Sequence, residues 1–382
     1  MADSRNRKRP RVDESVPRNS NNHNKKAKLS VRSNFPPEFW DELSEIPLTG
    51  RALRELDRRI YNLRRSSSHR RKRHSQCPPP TPAATFASSF TESTEMAQKT
   101  TSSSSRGPEF EKHLAGHSVY FHNRRSSALN IRDIRSRLQQ PQSSLALSRF
   151  SEEDFEAFER TNNTIANEDD LMIDVLPVMC GTNKILSKRN LLFTELKPIT
   201  NESASKPKPD VFDGAHPDDI DKRIRSDEDI YPLIIPTKYL HAPVAPNFFI
   251  EVKGQSGDPA VLKRQACYDG AYGARAMHCL QNYGRAKPLY DGNAYTFSAI
   301  YHPGMSMLAF YVHHVTAPAI SGDKVEYHMT QVAGYYLTNN RQGLIDAFTA
   351  FRNLRDMARE FRDSFIKAAN AHAENDVKCE IS

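Results

Sequence analysis

The run NFFIEVKGQSG, residues 247–257, constrains this chain more than any other stretch. Phe248, Phe249, Ile250 and Val252 make it apolar up to a turn, and a short apolar run bounded in that way reads as a buried strand. The strand closes on Glu251 and Lys253, two residues apart and therefore on one face. An acid beside a lysine at the end of a buried strand is either an ion pair at the rim of a sheet or half of a metal-dependent active site.

The surrounding sequence supplies the layers such a strand needs. Helical spacing predicts a helix over 126–140 and one or two more within 151–179. Residues 190–199 (NLLFTELKPI) and 208–215 (KPDVFDGA) read as strands, the second closing on an Asp-Gly turn. A helix is predicted over 258–283, with Pro259 suited to its first turn. A hairpin turning at HPGM follows within 293–317, then a strand over 325–338. From Arg341 to about residue 373 the pattern is that of a long amphipathic helix. Helices before, within and after a mixed set of strands give an α/β fold, a mixed central sheet flanked by helices.

Charge divides the chain. Residues 1–75 hold 20 Lys and Arg against 9 Asp and Glu, whereas the other 307 of the 382 residues hold 34 against 37. The basic character belongs to the front, so a nucleic-acid site in the body must be a local patch. Residues 1–34 are expected to be a disordered basic tail. The clusters RKRPR (7–11), KKAK (25–28) and RRSSSHRRKR (64–73) are of the nuclear-import type and predict a nuclear protein that engages an import receptor. Within 35–65, Phe39, Trp40 and Leu43, then Leu53, Leu56, Ile60 and Leu63, recur at helical spacing and predict a short helical element split by Pro47 and Gly50. Residues 66–107 read as a disordered Ser/Thr/Pro linker, 108–373 as the α/β domain, and 374–382 as a disordered tail. The five cysteines are scattered without zinc-like spacing, and no apolar run approaches a membrane span. The expectation is a soluble, intracellular protein with no membrane partner.

An acid two residues before a lysine occurs at Glu195–Lys197, Glu251–Lys253 and Asp376–Lys378. Context selects the second. Pro209–Asp210 lies upstream at the start of a strand, and a helix carrying Lys263, Arg264, Gln265 and Tyr268 lies downstream. Phosphodiester hydrolysis asks for a divalent ion to offset developing charge and acidify a water. Magnesium is held by one or two carboxylates with waters and phosphate oxygens. Asp210 and Glu251, from adjacent strands, would supply the carboxylates, and the Val252 carbonyl a further oxygen. Lys253 would orient the nucleophile or stabilise the transition state. Gln265 and Tyr268, three apart, share a helix face, although Tyr268 suits packing better than catalysis. The GAYGARAMH run suits close helix packing, and His302, His313 and His314 suit core or surface roles rather than ligation.

Taken together, PD at 209–210, the apolar strand leading to EVK at 251–253, and the helix with KRQACY resemble the PD-(D/E)XK nuclease superfamily, which has the restriction-endonuclease-like fold. The Gln and Tyr are similar to an extra motif of its recombination-exonuclease branch. The wording of 245–275 also resembles a domain of unknown function of filamentous fungi. The resemblance spans roughly residues 150–370. It implies Asp210 and Glu251 as metal ligands, Lys253 as the catalytic lysine and Gln265 as an accessory catalytic residue. Members often add an acid on the first core helix; Glu168 is the candidate, with Asp169, Asp170 and Asp174 as alternatives. The implied cofactor is magnesium, or manganese, and the implied substrate nucleic acid, DNA rather than RNA. Pro217–Asp218 competes with Pro209–Asp210, and the charged insert between the two acidic strands must hold a loop or a lid. A catalytically inactive nuclease fold that binds nucleic acid or protein in nuclear regulation is the alternative.

Overall fold

The computed structural model describes residues 104–121, 126–182, 184–320 and 324–381, with side chains to residue 375. The expected basic tail, the 35–65 helical element and the 66–103 part of the linker lie outside the described residues. In chain order the strands are β1 (Val119–Phe121), β2 (Ser187–Arg189), β3 (Val211–Ala215), β4 (Val244–Val252), β5 (Ala294–His302), β6 (Met307–Thr316) and β7 (Glu326–Tyr336). The helices are α1 (Glu109–Ala115), α2 (Ile131–Leu138), α3 (Glu152–Thr164), α4 (Glu168–Asp170), α5 (Leu176–Cys180), α6 (Lys222–Ser226), α7 (Tyr231–Ile234), α8 (Pro259–Gln281) and α9 (Arg341–Ile381). A π-helical turn, Leu171–Val175, joins α4 to α5.

The strands form one mixed sheet in the order β1-β7-β6-β5-β4-β3-β2. The β4–β5 and β1–β7 pairs are parallel and the others antiparallel. All nine residues of β4 are buried, because helices cover both faces. Phe248, Ile250 and Val252 enter one core with α2, α3, the π turn, α5 and α9; Phe249 enters the other with α1 and α8. The α/β expectation of a mixed sheet between helices therefore holds.

The crossover from β4 to β5 runs through α8. Asp258 caps that helix, its carboxylate accepting from the Ala260 N–H at 2.8 Å, and Pro259 opens it. Small residues let α8 lie close on the sheet: a Cβ at Gly270 would meet the His313 ring at 2.1 Å. On the other side a buried ion pair ties β3 to α9. Arg355 donates from Nε and Nη2 to the two oxygens of Asp213, each at 2.8 Å. Both side chains are buried, and the guanidinium also lies 5.9 Å from the Phe248 ring.

Four local expectations differ from what forms. Residues 190–199 are not a strand. Their N–H groups at Phe193, Glu195 and Lys197 donate to the carbonyls of Pro207, Pro236 and Pro232, and a proline has no N–H to return. Asp213–Gly214 is not a turn; β3 continues to Ala215 through a shift in register, because Asp213 is drawn inward to Arg355. The insert after β3 is packed rather than lid-like, with Ile220, Ile224 and Ile234 buried against Met277, Leu280 and Ile366. The last helix continues to Ile381, past the expected stop near residue 373.

The histidines are core residues, as expected. His313 Nε2 bonds Ser298 Oγ at 2.8 Å, and His314 Nε2 bonds Ser126 Oγ at 2.7 Å. His302 donates to the Gly257 carbonyl at 2.9 Å. Burial, with a neighbouring histidine adding to it, pushes His313 down to about 3 and His314 down to about 4.

Two predictions follow from this packing. Arg355→Ala strands the Asp213 carboxylate in the core and is expected to cost about 3–5 kcal/mol in urea unfolding, against a much smaller loss for a paired Asp213→Leu, Arg355→Met replacement. Folded His313 and His314 bind fewer protons than the unfolded chain, whose histidines titrate near pH 6.5. Their contribution is full above about that pH and is lost as pH falls towards 4, so His314→Phe should flatten the acid limb of the urea midpoint against pH.

Candidate active site

The site is built by strand register. Asp210 stands one residue before β3, and the antiparallel pairing of Val211 with Ile250 sets it across from Glu251. Two hydrogen bonds record this. The Asp210 N–H donates to Glu251 Oε1 at 3.3 Å, and the Val252 N–H donates to Asp210 Oδ2 at 2.9 Å. The Asn190 N–H, just after β2, holds the Asp210 carbonyl at 3.0 Å.

Lys253 turns back over the strand end. Its Nζ donates to the Val252 carbonyl at 2.9 Å, lies 3.0 Å from Glu168 Oε1, and stands 4.0 Å from Asp210 Oδ2. The side chain is 16% exposed, too covered to be an ordinary rim lysine.

Glu168 reaches this point because two loops meet. Gly254 approaches the backbone so closely that a Cβ there would lie 3.1 Å from the Ala166 carbonyl. Gln255 Nε2 donates to the Asn163 carbonyl at 3.1 Å. Asn167 caps α4 through the Asp170 N–H, and the Asp170 carboxylate accepts from the Ala166 N–H. Asp170 is thus committed to the cap, Asp174 faces solvent, and Glu168 is the acid that meets Lys253. The π turn directly after it is a device common at functional sites.

Glu251 is wholly buried. Its Oε2 finds no donor among the described residues. The carboxyl of Asp269, on α8, lies beside it, and two carboxyls bond only when one carries a proton. Burial, then the charges of Asp269 and Asp210, push Glu251 well up; burial first also raises Asp269. The pair holds one proton well above the usual carboxylate range. Burial likewise raises Asp210, opposed by the Val252 N–H and by Lys253.

Asp269 was not singled out in the sequence. Its signal is an acid amid the small and apolar residues of ACYDGAYGA, where solvent cannot reach. Gln265 lies one turn earlier on α8, half-buried, its Oε1 without a partner among the described residues. It is not part of the cleft wall. Tyr268 packs, its hydroxyl 3.1 Å from that of Tyr272 and its ring edge-on to Phe110. The competing motifs fall away. Asp218 is 79% exposed beside Arg225, and Glu195 pairs with Lys238 at 3.8 Å.

Glu168, Asp169, Lys208 and Asp210 line an open cleft of about 680 Å³. Among the described residues, no three His, Cys, Asp or Glu side chains are grouped to hold a metal ion. The cleft therefore offers three carboxylates, Glu168, Asp169 and Asp210, and Lys253 stands between the first and the last, with Glu251 behind Asp210. Asp269→Ala leaves Glu251 buried alone and is expected to lower stability by about 1–3 kcal/mol. Asp269→Asn, which can still donate to Glu251, should cost less; urea denaturation at neutral pH compares them.

No curated protein and no solved structure matches the chain. Residues 124–369 match the family model described as Domain of unknown function (DUF7924), and this stretch runs from just before α2 into the last third of α9, taking in β2–β7 and every residue of the cleft. The chain belongs to the DUF7924 family.

Proposed function

We propose that the cleft at the end of β4 is a nuclease site of the PD-(D/E)XK type, acting on phosphodiester bonds of DNA. One observation carries the reading: Lys253 Nζ stands between Glu168 and Asp210, two acids of an open cleft wall, with Glu251 behind Asp210. A rim ion pair would need neither the second carboxylate nor the buried acid.

The donor set suits magnesium or manganese. Asp210 and Glu168 would be hard oxygen ligands on the cleft wall, with Glu251 buried behind them. One or two carboxylates suffice for such an ion when waters and phosphate oxygens complete its shell. The ion would supply charge neutralisation and a more acidic water. The remaining work falls to the chain. Lys253 exchanges its contact with Glu168 for the scissile phosphate, where its ammonium stabilises developing charge. Lys208, exposed in the same cleft, draws the substrate's phosphates in. Gln265, the accessory residue that the resemblance implies, lies off the cleft wall and takes no direct part in this reading. The N-terminal basic clusters carry the protein to the nucleus through an import receptor and add salt-sensitive phosphate affinity.

A second reading has its own support. Glu251 is buried and shares a proton with Asp269, and Lys253 is already neutralised by Glu168. Such a site suits a scaffold that binds nucleic acid or protein without cutting.

Purified protein incubated with linear DNA, circular DNA and RNA, in magnesium or manganese at low salt, separates the two. Nuclease activity predicts cleavage that chelator abolishes and that falls on the order of 100-fold or more in Lys253→Ala and Asp210→Asn. Binding without cleavage, equal in wild type and Lys253→Ala, would leave the non-catalytic scaffold.

A further inference from the structure

Arg275 stands apart from every other cation in the described core. It lies on α8 far along the helix from the cleft, and its Nε and Nη2 are buried with no hydrogen-bond partner among the described residues. Among the described residues no ion pair holds it there either. Its guanidinium carbon lies 4.8 Å above the Tyr272 ring, which offsets part of the charge but fills none of its donors. Guanidinium keeps its proton even when desolvated, so the half-buried Arg275 leaves two buried donors of a charged group unfilled. Folds do so rarely without a ligand.

The space beside it explains the exception. Arg275 lines a cavity of about 440 Å³, within the usual range for small-molecule sites. Leu233, Tyr283 and Val325 give it apolar walls. His278, one turn on from Arg275, enters the same cavity with an Nε2 that is buried and unpartnered. Its ring stacks on Tyr290 with centroids 4.8 Å apart, and the Leu289 carbonyl is the acceptor available to its other nitrogen. A neutral imidazole that donates through one nitrogen presents a lone pair on the other. Nε2 therefore waits for a donor. Asp227 and Asp229 stand in the wall as well. Two carboxylates oppose a multiply charged anion such as a phosphate chain or a nucleic-acid backbone, and leave room for a single negative charge on Arg275.

We propose that this cavity binds a small monocarboxylate with an apolar body and a hydrogen-bond donor beside the carboxylate, its carboxylate on Arg275 and its donor on His278 Nε2. The site is separate from the cleft and does not depend on the nuclease reading.

Calorimetric titration of the full chain with 3-phenyllactate, 3-phenylpropionate and inorganic phosphate tests it. Phenyllactate should bind more tightly than phenylpropionate, which lacks the donor, and phosphate should bind least. Arg275→Met should weaken phenyllactate roughly 10–100-fold, the loss expected for a charged hydrogen bond. His278→Phe, which keeps the stacking on Tyr290, should erase the preference for phenyllactate over phenylpropionate, so the assignment stays testable if the arginine variant fails to fold. Lys253→Ala should bind as wild type does. No heat with either carboxylate, phosphate as the tightest ligand, or unchanged affinity in Arg275→Met would overturn the proposal.

Discussion

The whole arrangement depends on β4 having no solvent on either face. A strand covered by helices on both sides can carry charge only where every charged group meets a partner, since an isolated buried ion is prohibitively unfavourable. β4 carries Glu251 at its end and Lys253 just beyond it all the same, and the neighbouring elements answer each of them. Asp210 comes across from β3, Asp269 from α8 and Glu168 from the start of α4. Four acids and a lysine meet at one strand end, because that is where the cover opens.

The same constraint acts at the other polar points of the core. Asp213 meets Arg355 with two bonds, and the match holds β3 in the register that sets Asp210 opposite Glu251. The scaffold pair and the site thus share one short strand: Asp213 faces the α9 layer, and Asp210 reaches the strand end. Where buried donors of a charged group go unfilled among the described residues, at the Nε and Nη2 of Arg275, there is an open cavity beside them.

Much of the fold was legible in the residues. The β4 run, the Pro259-led helix, the β5–β6 hairpin and the long terminal helix each carry a periodicity or a turn signal that local physics enforces, and they form nearly where the spacing places them. The three-residue strands β1 and β2 carry no such signal. Each is too short to show alternation, and each exists because a longer strand offers it an edge. The run 190–199 failed for the opposite reason. It has the apolar content of a strand, but the carbonyls it reaches belong to prolines, which cannot complete a ladder.

By itself, the sequence determined which residue types stand at the end of a buried strand, and hence that Glu251 and Lys253 needed partners. It also narrowed those partners, since Asp210 opens a strand and Glu168 lies near a helix start. Only the tertiary structure decided the rest. Choosing Glu168 over Asp169, Asp170 and Asp174 required the Gly254 contact, which depends on two loops 88 residues apart meeting. Finding Asp269 required knowing which side of α8 lies on β4. Recognising Arg275 as unpaired required every neighbour's position. Local spacing sets where a side chain points along its own element, but whether a charge is matched depends on atoms that only folding brings near.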